Sequence, residues 1–419
     1  MRSHKLKYLC RIVGGGTPSK ANEDFWKGDI PWVSPKDMKV FRIHDAQDHI
    51  SAGAVIASAT RIVPPSSVLI VVRSGILQHS IPVAINTVPV ALNQDMKAFI
   101  PSADLQSEFL AYFISGSQQR LLARWRKEGA TVESIEMEDL GNTTCPVPLR
   151  EHQAKVVNFL DRETAKVDDL IAKKELLIER LKEIKKSAIS RLATMGTCQT
   201  VTTRDSGIPC IGQTPNHWQL LRNKNLLREI DDRSSDGTEE LLTVSHITGV
   251  SPRRENQQVT MFMAESNEGY KRCLPDDIVI NTMWAWMGAL GVSIYAGLVS
   301  PAYNVYRFKR KADPWYFHHL FRSPQYVAEI GRYSRGVWTS RLRLYPEEFL
   351  NMTSPVPPLE EQFKIALLID EQNKAASKES EMVTSAIALL REYRSALISA
   401  AVTGQLDLRQ HEAQLEALA

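Results

Sequence analysis

Residues 146–153 read PVPLREHQ, and residues 355–362 read PVPPLEEQ, 209 positions further along the chain. The same offset holds without gaps from residue 146 to residue 194, where residues 181–183 (LKE) match residues 390–392 (LRE). A repeat of half the chain length indicates two versions of one structural unit. The prolines force an extended backbone, so each motif marks a point at which any earlier helix must end.

A long helix is predicted after each proline motif, because no proline follows in residues 149–193 or 359–419 and apolar residues recur at heptad spacing. The predicted seam positions of the first helix are Leu160, Val167, Leu181 and Ala188, with Leu170, Leu177 and Ile184 in a second register. Those of the second helix are Ile369, Ala376, Val383, Leu390 and Leu397, with Ala386 and Tyr393 in its second register. Gly196 and Gly404 are expected to end the helices. About 40 helical residues span roughly 60 Å. This pattern fits two roles. The helices would merely pack and join two domains, or they would form an antiparallel ruler that fixes the distance between the domains.

The parts between these helices are predicted to be mixed, which makes the chain an α+β protein with an internal pseudo-twofold repeat. Candidate strands are residues 68–72, 81–85, 277–282 and 303–308, and each half has one amphipathic helix, residues 105–125 and 314–333. We therefore expect globular domains at residues 1–145 and 201–354, and helical segments at residues 146–200 and 355–419.

Composition sets weaker limits on function. The 419 residues are 43% hydrophobic and 24% charged, with a net charge of +3, and no apolar run is long enough for a membrane helix. We expect a cytoplasmic protein without a membrane partner. The five cysteines are scattered and odd in number, which favours free thiols over zinc ligation or disulfides. The net charge permits nucleic-acid binding without indicating it.

Catalytic signatures are missing from the sequence. It contains no Gly-x-Gly-x-x-Gly after a strand, no Walker motif, no Asn/Asp-Pro-Pro-Tyr/Phe/Trp methyltransferase box and no His-Glu-x-x-His. His318 and His319 fall on a predicted helix face, where a structural role is expected. We predict no catalytic residue and no metal site.

Arginines cluster at the ends of the two amphipathic helices and in one loop, and arginine contacts both phosphate and guanine edges. Solvated helix ends would look the same at any single position. The two tryptophans of residues 282–288 (TMWAWMG) fit a core as well as a nucleic-acid surface. Residues 14–19 (GGGTPS) lack the Gly-Lys-Ser/Thr ending of a phosphate loop and are expected to form a flexible turn that could approach a DNA backbone.

The chain resembles the specificity (S) subunit of type I restriction-modification enzymes over nearly its whole length. The resemblance is carried by residues 15–19 (GGTPS), 29–38 (DIPWVSPKDM), 71–76 (VVRSGI) and 92–97 (LNQDMK), by the two proline motifs, and by residues 401–406 (AVTGQL). In the second half, residues 281–290 and 300–306 are similar to one subclass of recognition domain. The two halves differ strongly in sequence, so two different DNA half-sites are expected.

The resemblance implies a division of labour. Two target-recognition domains would each read one half of a bipartite, asymmetric site in double-stranded DNA, while the helices space them and dock two methyltransferase subunits. Motor-nuclease (restriction) subunits would join, and S-adenosylmethionine, ATP and Mg²⁺ would be bound only by partner subunits. The alternative is a non-catalytic protein-interaction scaffold, which salt-dependent duplex binding would distinguish.

Two residue sets follow as predictions. The expected DNA-contacting residues are Thr17, Ser19, Lys20, Lys36, Arg73, Lys97, Arg120, Arg124, Arg126, Arg253, Arg254, Arg335, Arg341 and Arg343. The expected partner-docking helix positions are Leu160, Val167, Leu181, Ile369, Leu390 and Tyr393.

Overall fold

The structure is a computed structural model that describes residues 2–127, 132–198, 200–255, 266–337 and 342–408. It divides into two compact units. Unit 1 consists of Met1–Glu175 and Thr384–Ala419, and unit 2 is the continuous stretch Leu176–Val383. Each unit contains a sheet-rich domain together with part of each of two long helices. The predicted mixed α+β class, with two sheet-rich domains and two long packed helices, is confirmed.

The first half of the chain supplies eleven strands and six helices among the described residues. The strands are β1 (Arg2–Lys5), β2 (Cys10–Gly14), β3 (Ile30–Val33), β4 (Arg42–Ile43), β5 (Asp48–Ile50), β6 (Ile62–Val63), β7 (Val68–Val71), β8 (Val83–Asn86), β9 (Val90–Leu92), β10 (Met96–Pro101) and β11 (Thr144–Val147). The helices are α1 (Leu6–Leu9), α2 (Ala52–Ala57), α3 (Ser107–Gly116), α4 (Gln118–Trp125), α5 (Met137–Gly141) and the long α6 (Arg150–Met195). A five-stranded sheet has the order β2-β10-β7-β8-β4, and a four-stranded sheet has the order β5-β3-β9-β6.

The second half repeats this organisation with twelve described strands and five helices. The strands are β12 (Thr203–Asp205), β13 (Gln213–Pro215), β14 (Gln219–Arg222), β15 (Leu227–Ile230), β16 (Leu242–Ser245), β17 (Gly249–Pro252), β18 (Lys271–Cys273), β19 (Ile278–Asn281), β20 (Leu290–Val292), β21 (Gly297–Val299), β22 (Tyr303–Phe308) and β23 (Thr353–Val356). The helices are α7 (Asn223–Leu226), α8 (Pro314–Arg322), α9 (Pro324–Tyr333), α10 (Pro346–Asn351) and the long α11 (Leu359–Thr403). The main sheet has the order β15-β22-β19-β20.

The central strand β7 shows why unit 1 has two apolar layers. Successive side chains of a strand point to opposite faces, and all four residues of β7 are fully buried. Val68 and Ile70 belong to the core that α3 and both long helices cover, whereas Leu69 and Val71 belong to a second core on the other face of the sheet. The predicted strands at 68–72, 81–85, 277–282 and 303–308 are all present, each within two residues at either end.

Each predicted amphipathic helix is in fact two helices, so the prediction of one continuous helix per half is wrong. In the second half, Pro324 has no N–H to continue α8, and the Ser323 side chain caps α9 instead by accepting from Tyr326 N at 3.3 Å. In the first half, the break after Gly116 accompanies a close approach of α11. A Cβ at Gly116 would lie 2.8 Å from the backbone nitrogen of Ser399.

The proline motifs have the same role in both units. Their extended residues form β11, which pairs with β1, and β23, which pairs with β14. One helical turn later, Gln153 accepts from Gln106 N at 2.8 Å and donates to the carbonyls of Asp104 and Pro148 at 2.8 Å each. The repeat partner, Gln362, makes the corresponding bonds to Asp313 N (2.9 Å) and Pro357 O (2.8 Å). A buried glutamine therefore fixes the start of each long helix to its own domain.

The long helices bury one register and expose the other. Leu160 and Ile369 are fully buried and Val167 is nearly so, whereas Leu181 and Leu390 are half-buried. The second-register residues Leu170, Leu177 and Ile184, and Tyr393 of α11, are exposed. Within unit 1 the two long helices run antiparallel. The paired residues show this, because the number rises from Asp168 to Glu175 along α6 and falls from Arg394 (3.1 Å) to Arg391 (2.8 Å) along α11.

Several smaller expectations are also confirmed. Gly196 and Gly404 follow the ends of α6 and α11 with φ of +74° each, the left-handed conformation that glycine adopts most readily. All five cysteines are free thiols, and Cys10, Cys145 and Cys273 are buried. Burial raises the pKa of Cys273 to about 11 and that of Cys10 to about 12. In the described part of the chain, no helix combines the length and the apolar character that a membrane span requires.

Candidate nucleic-acid interface

In unit 1, a cleft of about 1000 Å³ gathers residues from separate stretches of the chain. Its walls come mainly from the loop after β2, the turn after β3 and the turn between β9 and β10. The lining residues are Thr17, Lys20, Glu23, Trp26, Lys27, Trp32, Ser34, Pro35, Lys36, Asp48, Asn93, Gln94 and Asp95. Three of the residues predicted to contact DNA, Thr17, Lys20 and Lys36, therefore lie around one cleft.

The glycine segment at this cleft is anchored, so the prediction of a flexible turn is wrong. Gly16 donates its N–H to the Leu92 carbonyl at 2.8 Å, and its own carbonyl accepts from Trp32 Nε1 at 3.0 Å. A Cβ at Gly15 would overlap the carbonyl oxygens of Leu92 and Asn93. Only glycine lets the backbone lie this close to β9. The segment therefore holds the residues that follow it in a fixed position.

Thr17 and Ser19 follow this anchored segment and bond to the walls of the cleft. The Thr17 hydroxyl donates to Gln94 Oε1, and the Ser19 carbonyl accepts from Trp26 Nε1 at 3.2 Å. Trp26 packs edge-on against Trp32 with a centroid distance of 5.1 Å. The sequence interpretation missed Gln94 and both tryptophans, although Gln94 lies inside the LNQDMK motif. The cleft thus combines amide, hydroxyl, cationic and aromatic groups with the carboxylates of Glu23, Asp48 and Asp95.

The Lys36 loop is ordered by one carboxylate. Asp37 accepts from the backbone nitrogen and the hydroxyl of Ser34 at 2.8 and 2.9 Å, and from Gln47 N at 2.9 Å. These bonds leave the neighbouring Lys36 side chain exposed. The loop is therefore built to present a cation at the edge of the cleft.

Ion pairing separates the predicted cations into two classes. Within the residues that the structure describes, Lys20, Lys36 and Lys97 form no ion pair. Arg73, by contrast, places Nε 2.7 Å from Asp95 Oδ1. A paired arginine must give up its carboxylate before it contacts phosphate, whereas an unpaired lysine does not. Lys20 and Lys36 are therefore the cations of this cleft best prepared to meet an anion.

The helix-end arginines of the first half lie outside this lining. Arg126 places Nε 2.6 Å from Glu133 Oε2, and Arg124 lies 3.9 Å from Asp139. Arg120 lines a different groove, whose other wall is formed by residues near the end of α11. The structure therefore does not bring the three arginines together with the residues of the cleft.

In the second half, Arg253 and Arg254 share a short turn after β17, and Arg254 Nε lies 3.0 Å from Glu240. Arg335 and Arg343 are brought together, since their backbones exchange two hydrogen bonds of 2.9 Å. Arg335 is also ion-paired with Glu348. Arg341 lies outside the described residues. The second unit therefore holds its predicted cations at two places rather than around one cleft.

The tryptophan segment of unit 2 is partly core and partly surface. Ala285 is buried, and Trp286 is half-buried with its Nε1 donating to the Met283 carbonyl at 3.1 Å. Trp284 and Met287 are 51% and 42% exposed. Both interpretations of the segment therefore apply, each to different residues.

The two adjacent histidines are structural, as predicted. His318 accepts from Val292 N through Nδ1 at 3.2 Å, and burial, with a smaller effect of the neighbouring Arg322 charge, holds its pKa well below 6.5. His319 is bonded to Asp370 at 3.2 Å, and its pKa is lowered by burial against the opposing effect of that carboxylate. In the described residues, no three His, Cys, Asp or Glu side chains are grouped so that they could hold a metal ion.

Comparison with known proteins finds sequence similarity over part of the chain. A family model described as the type I restriction modification DNA specificity domain matches residues 1–180. The chain is 41% identical over 158 residues to the type I restriction enzyme EcoR124I/EcoR124II specificity subunit of Escherichia coli, which covers 38% of this chain and 39% of that subunit. It is 30% identical over 183 residues to the MjaIX specificity subunit of Methanocaldococcus jannaschii, covering 43% of this chain and 40% of that one. The alignments thus span about two fifths of these relatives.

Solved structures share the fold over almost the whole chain. A chain from a study of complex assembly and conformational transition of the type I restriction-modification system matches with a TM-score of 0.69 and 15% identity, covering 97% of this chain and 98% of that one. The HsdS subunit from Thermoanaerobacter tengcongensis matches with a TM-score of 0.51 and 14% identity, covering 97% of each. At these identities the likeness is one of fold.

Proposed function

We propose that the chain is a specificity subunit of a type I restriction-modification system, and that it recognises double-stranded DNA without catalytic activity of its own. Its two recognition domains, residues 1–145 and 201–354, would each read one half of a bipartite, asymmetric site. The helical segments, residues 146–200 and 355–419, would set the spacing and dock two methyltransferase subunits. Motor-nuclease subunits would complete a cytoplasmic complex, and S-adenosylmethionine, ATP and Mg²⁺ would be bound by the partners.

The cleft of unit 1 is the observation that carries this proposal. Lysine contacts phosphate as a point charge, and the amides of Asn and Gln can bond to adenine edges. The cleft sets Lys20 and Lys36, without ion pairs among the described residues, beside the exposed residue Gln94, whose amide bonds to Thr17 and Asp95 and would exchange these bonds for a base edge. Phosphate contacts would position the domain, and a few polar side chains would select the base pairs.

The exposed register of the long helices supports the docking part of the proposal. Leu177, Ile184 and Tyr393 are each more than 40% exposed. Leu177 and Ile184 are seven residues apart, so they lie on one side of α6. Leu160 and Ile369, by contrast, pack in the cores of their own units. We therefore assign docking to the exposed register rather than to those two side chains.

A charge-removal experiment tests DNA binding at the cleft. The double variant Lys20→Gln/Lys36→Gln removes the two unpaired lysines, and Lys166→Gln/Lys173→Gln is its control. The control removes the same charge from lysines of α6 that are paired with Glu163 (3.0 Å) and Asp169 (2.8 Å). Fluorescence anisotropy of the full chain with a 40-base-pair duplex, measured from 50 to 300 mM KCl, gives the dependence of affinity on salt.

Each phosphate contact contributes about 0.9 to the slope of log affinity against log salt, so the cleft variant should lose about 1.8 from the slope. The control should keep the wild-type slope. Equal slopes for the two variants would exclude the cleft as a phosphate contact. A wild-type chain that shows no salt-dependent duplex binding would favour the protein-interaction scaffold instead.

A further inference from the structure

Unit 2 contains a second basic groove, of about 420 Å³, that lies apart from the predicted cations of that unit. One wall is the last third of α6, and the other is formed by α8 and the turn between β16 and β17. The lining residues are Lys182, Lys185, Lys186, Ile189, Ile247, Thr248, His318, His319, Arg322, Ser323, Pro324 and Asn373. Four of them carry a fixed positive charge, and no described carboxylate is in the lining.

The lysines of this groove are poorly neutralised. Within the described residues, Lys185 and Lys186 form no ion pair, and Lys185 is half-buried. Lys182 pairs with Glu179 at 2.7 Å along the exposed side of the same helix. The charges of Lys185 and Lys186 therefore repel each other without an ion-pair partner in the described residues, and an anionic ligand would relieve this repulsion.

Arg322 adds a charge that the protein solvates only with carbonyl groups. Its Nη1 donates to Leu290 O at 2.7 Å, and its Nη2 donates to His246 O and Ile247 O at 3.1 and 3.0 Å. These bonds hold the wall of the groove in place, but none of them cancels the positive charge. Arg322 therefore raises the local potential while serving as a structural clamp.

His318 is a neutral donor in the same lining. Its Nδ1 accepts from Val292 N, so in the neutral ring the proton is on Nε2. Thr248 and Asn373 add a hydroxyl and an amide. Cationic side chains combined with neutral N–H and O–H donors are the set that proteins use to hold the phosphates of a duplex.

The repeat places a related groove in unit 1. At the offset of 209, Lys182 and Lys185 correspond to Arg391 and Arg394, which line a groove of about 760 Å³ together with Lys39, Gln118 and Gln119. In this groove too, no described carboxylate is in the lining. Pro35 lines both this groove and the candidate DNA cleft, so the two adjoin at that residue. Both units therefore have a groove lined by basic side chains of a long helix, although in unit 1 Arg391 and Arg394 are ion-paired with Glu175 and Asp168.

We propose that the groove of unit 2 binds phosphate groups of the DNA backbone at base pairs that are not read, with Lys185 and Lys186 as the contacting residues. This inference rests on the proposed DNA-recognition function and adds a contact made by a long helix rather than by a recognition domain. The related groove in unit 1 adjoins the candidate DNA cleft, which favours DNA over an acidic protein partner. Phosphate contacts carry no base information, so the groove would raise affinity for every sequence equally.

The test is the double variant Lys185→Gln/Lys186→Gln of the full chain. Lys166→Gln/Lys173→Gln, on the same helix but outside the groove, is the matched control. Anisotropy is measured with two 40-base-pair duplexes of unrelated sequence between 50 and 300 mM KCl. Loss of two phosphate contacts should lower the salt slope by about 1.8, and affinity at 0.15 M salt by roughly 30-fold, on both duplexes.

Three other outcomes would overturn the inference. If the wild type binds with a salt-dependent affinity but the groove variant has the slope of the control, only the groove assignment fails. If the variant retains the slope yet no longer co-purifies with the methyltransferase subunits, the groove is a protein-docking site. If the wild-type chain itself shows no salt-dependent binding, the DNA-recognition function fails and the groove assignment fails with it.

Discussion

Replacing Gln153 with alanine should loosen unit 1 without affecting unit 2. The buried amide makes three hydrogen bonds of 2.8 Å to the backbone around the start of α6. A typical net contribution is about 1 kcal/mol per bond, so Gln153→Ala should destabilise the local structure by about 3 kcal/mol. The repeat partner Gln362 makes two such bonds, so Gln362→Ala should cost about 2 kcal/mol in unit 2.

Hydrogen exchange measured by mass spectrometry is the suitable assay, because a chain of two units has no single unfolding free energy. For Gln153→Ala, protection of peptides that cover residues 104–112 should fall roughly 100-fold, since about 1.4 kcal/mol is a factor of ten. Peptides that cover residues 311–319 should remain unchanged. For Gln362→Ala, protection should fall in the peptides that cover residues 311–319, and the peptides that cover residues 104–112 should remain unchanged.

The control is His152→Ala, which changes an exposed neighbour on the same helical turn. Exposed positions of this kind usually alter stability by less than about 0.5 kcal/mol. The reasoning is refuted if Gln153→Ala exchanges no faster than the His152 control. It is also refuted if either glutamine variant lowers protection equally in both units, because the bonds of each glutamine lie within one unit.

Two further predictions concern spacing and pH. A heptad inserted after Ala165 of α6, with a matching heptad after Ala396 of α11 so that the Asp168–Arg394 pair is kept, should widen the unread gap of the site. Single-molecule sequencing of methylated adenines in cells that express the variant with its methyltransferase would show this, and an unchanged gap would exclude the ruler role. Because the pKa of His318 is depressed in the folded chain, this side chain binds a proton near pH 6.5 in the unfolded chain but not in the folded chain. Stability of unit 2 should therefore decline below about pH 6.5, by up to about 1.4 kcal/mol per pH unit. Hydrogen exchange of peptides that cover residues 311–319 at pH 7.5 and 5.5, corrected for intrinsic exchange rates, would measure the decline, which should be smaller in His318→Asn; an equal decline in that variant would argue against His318 as the source.

The sequence predicted the architecture well because the constraints were covalent or periodic. Proline cannot continue a helix that precedes it, and the alternation of the β7 side chains between two faces follows from strand geometry alone. The breaks after Gly116 and Ser323 were missed since the amphipathic pattern runs through both. Pro324 was a readable signal for the second break. The first depends on the approach of α11, some 280 residues later, which no local pattern contains.

The candidate site was predicted only in outline. The motifs indicated Thr17, Lys20 and Lys36, but their convergence with Gln94 depends on how the turn between β9 and β10 meets the loop after β2. The ion pair of Arg73 with Asp95 and that of Arg335 with Glu348 could not be read from composition. Pairing is what separates the lysines ready to bind an anion from arginines that are already neutralised.

The division of the chain into units has a consequence for how the protein is made. The core of unit 1 includes Leu397, Ile398, Ala401 and Val402, whereas unit 2 is one uninterrupted stretch from Leu176 to Val383. Domains usually fold in the order in which the ribosome delivers them. In this chain the N-terminal domain is synthesised first, but its core is complete only after residue 402 has been synthesised. Until then, part of its apolar surface stays exposed. The second domain can be complete before the first, and the nascent N-terminal half is the form most in need of a chaperone.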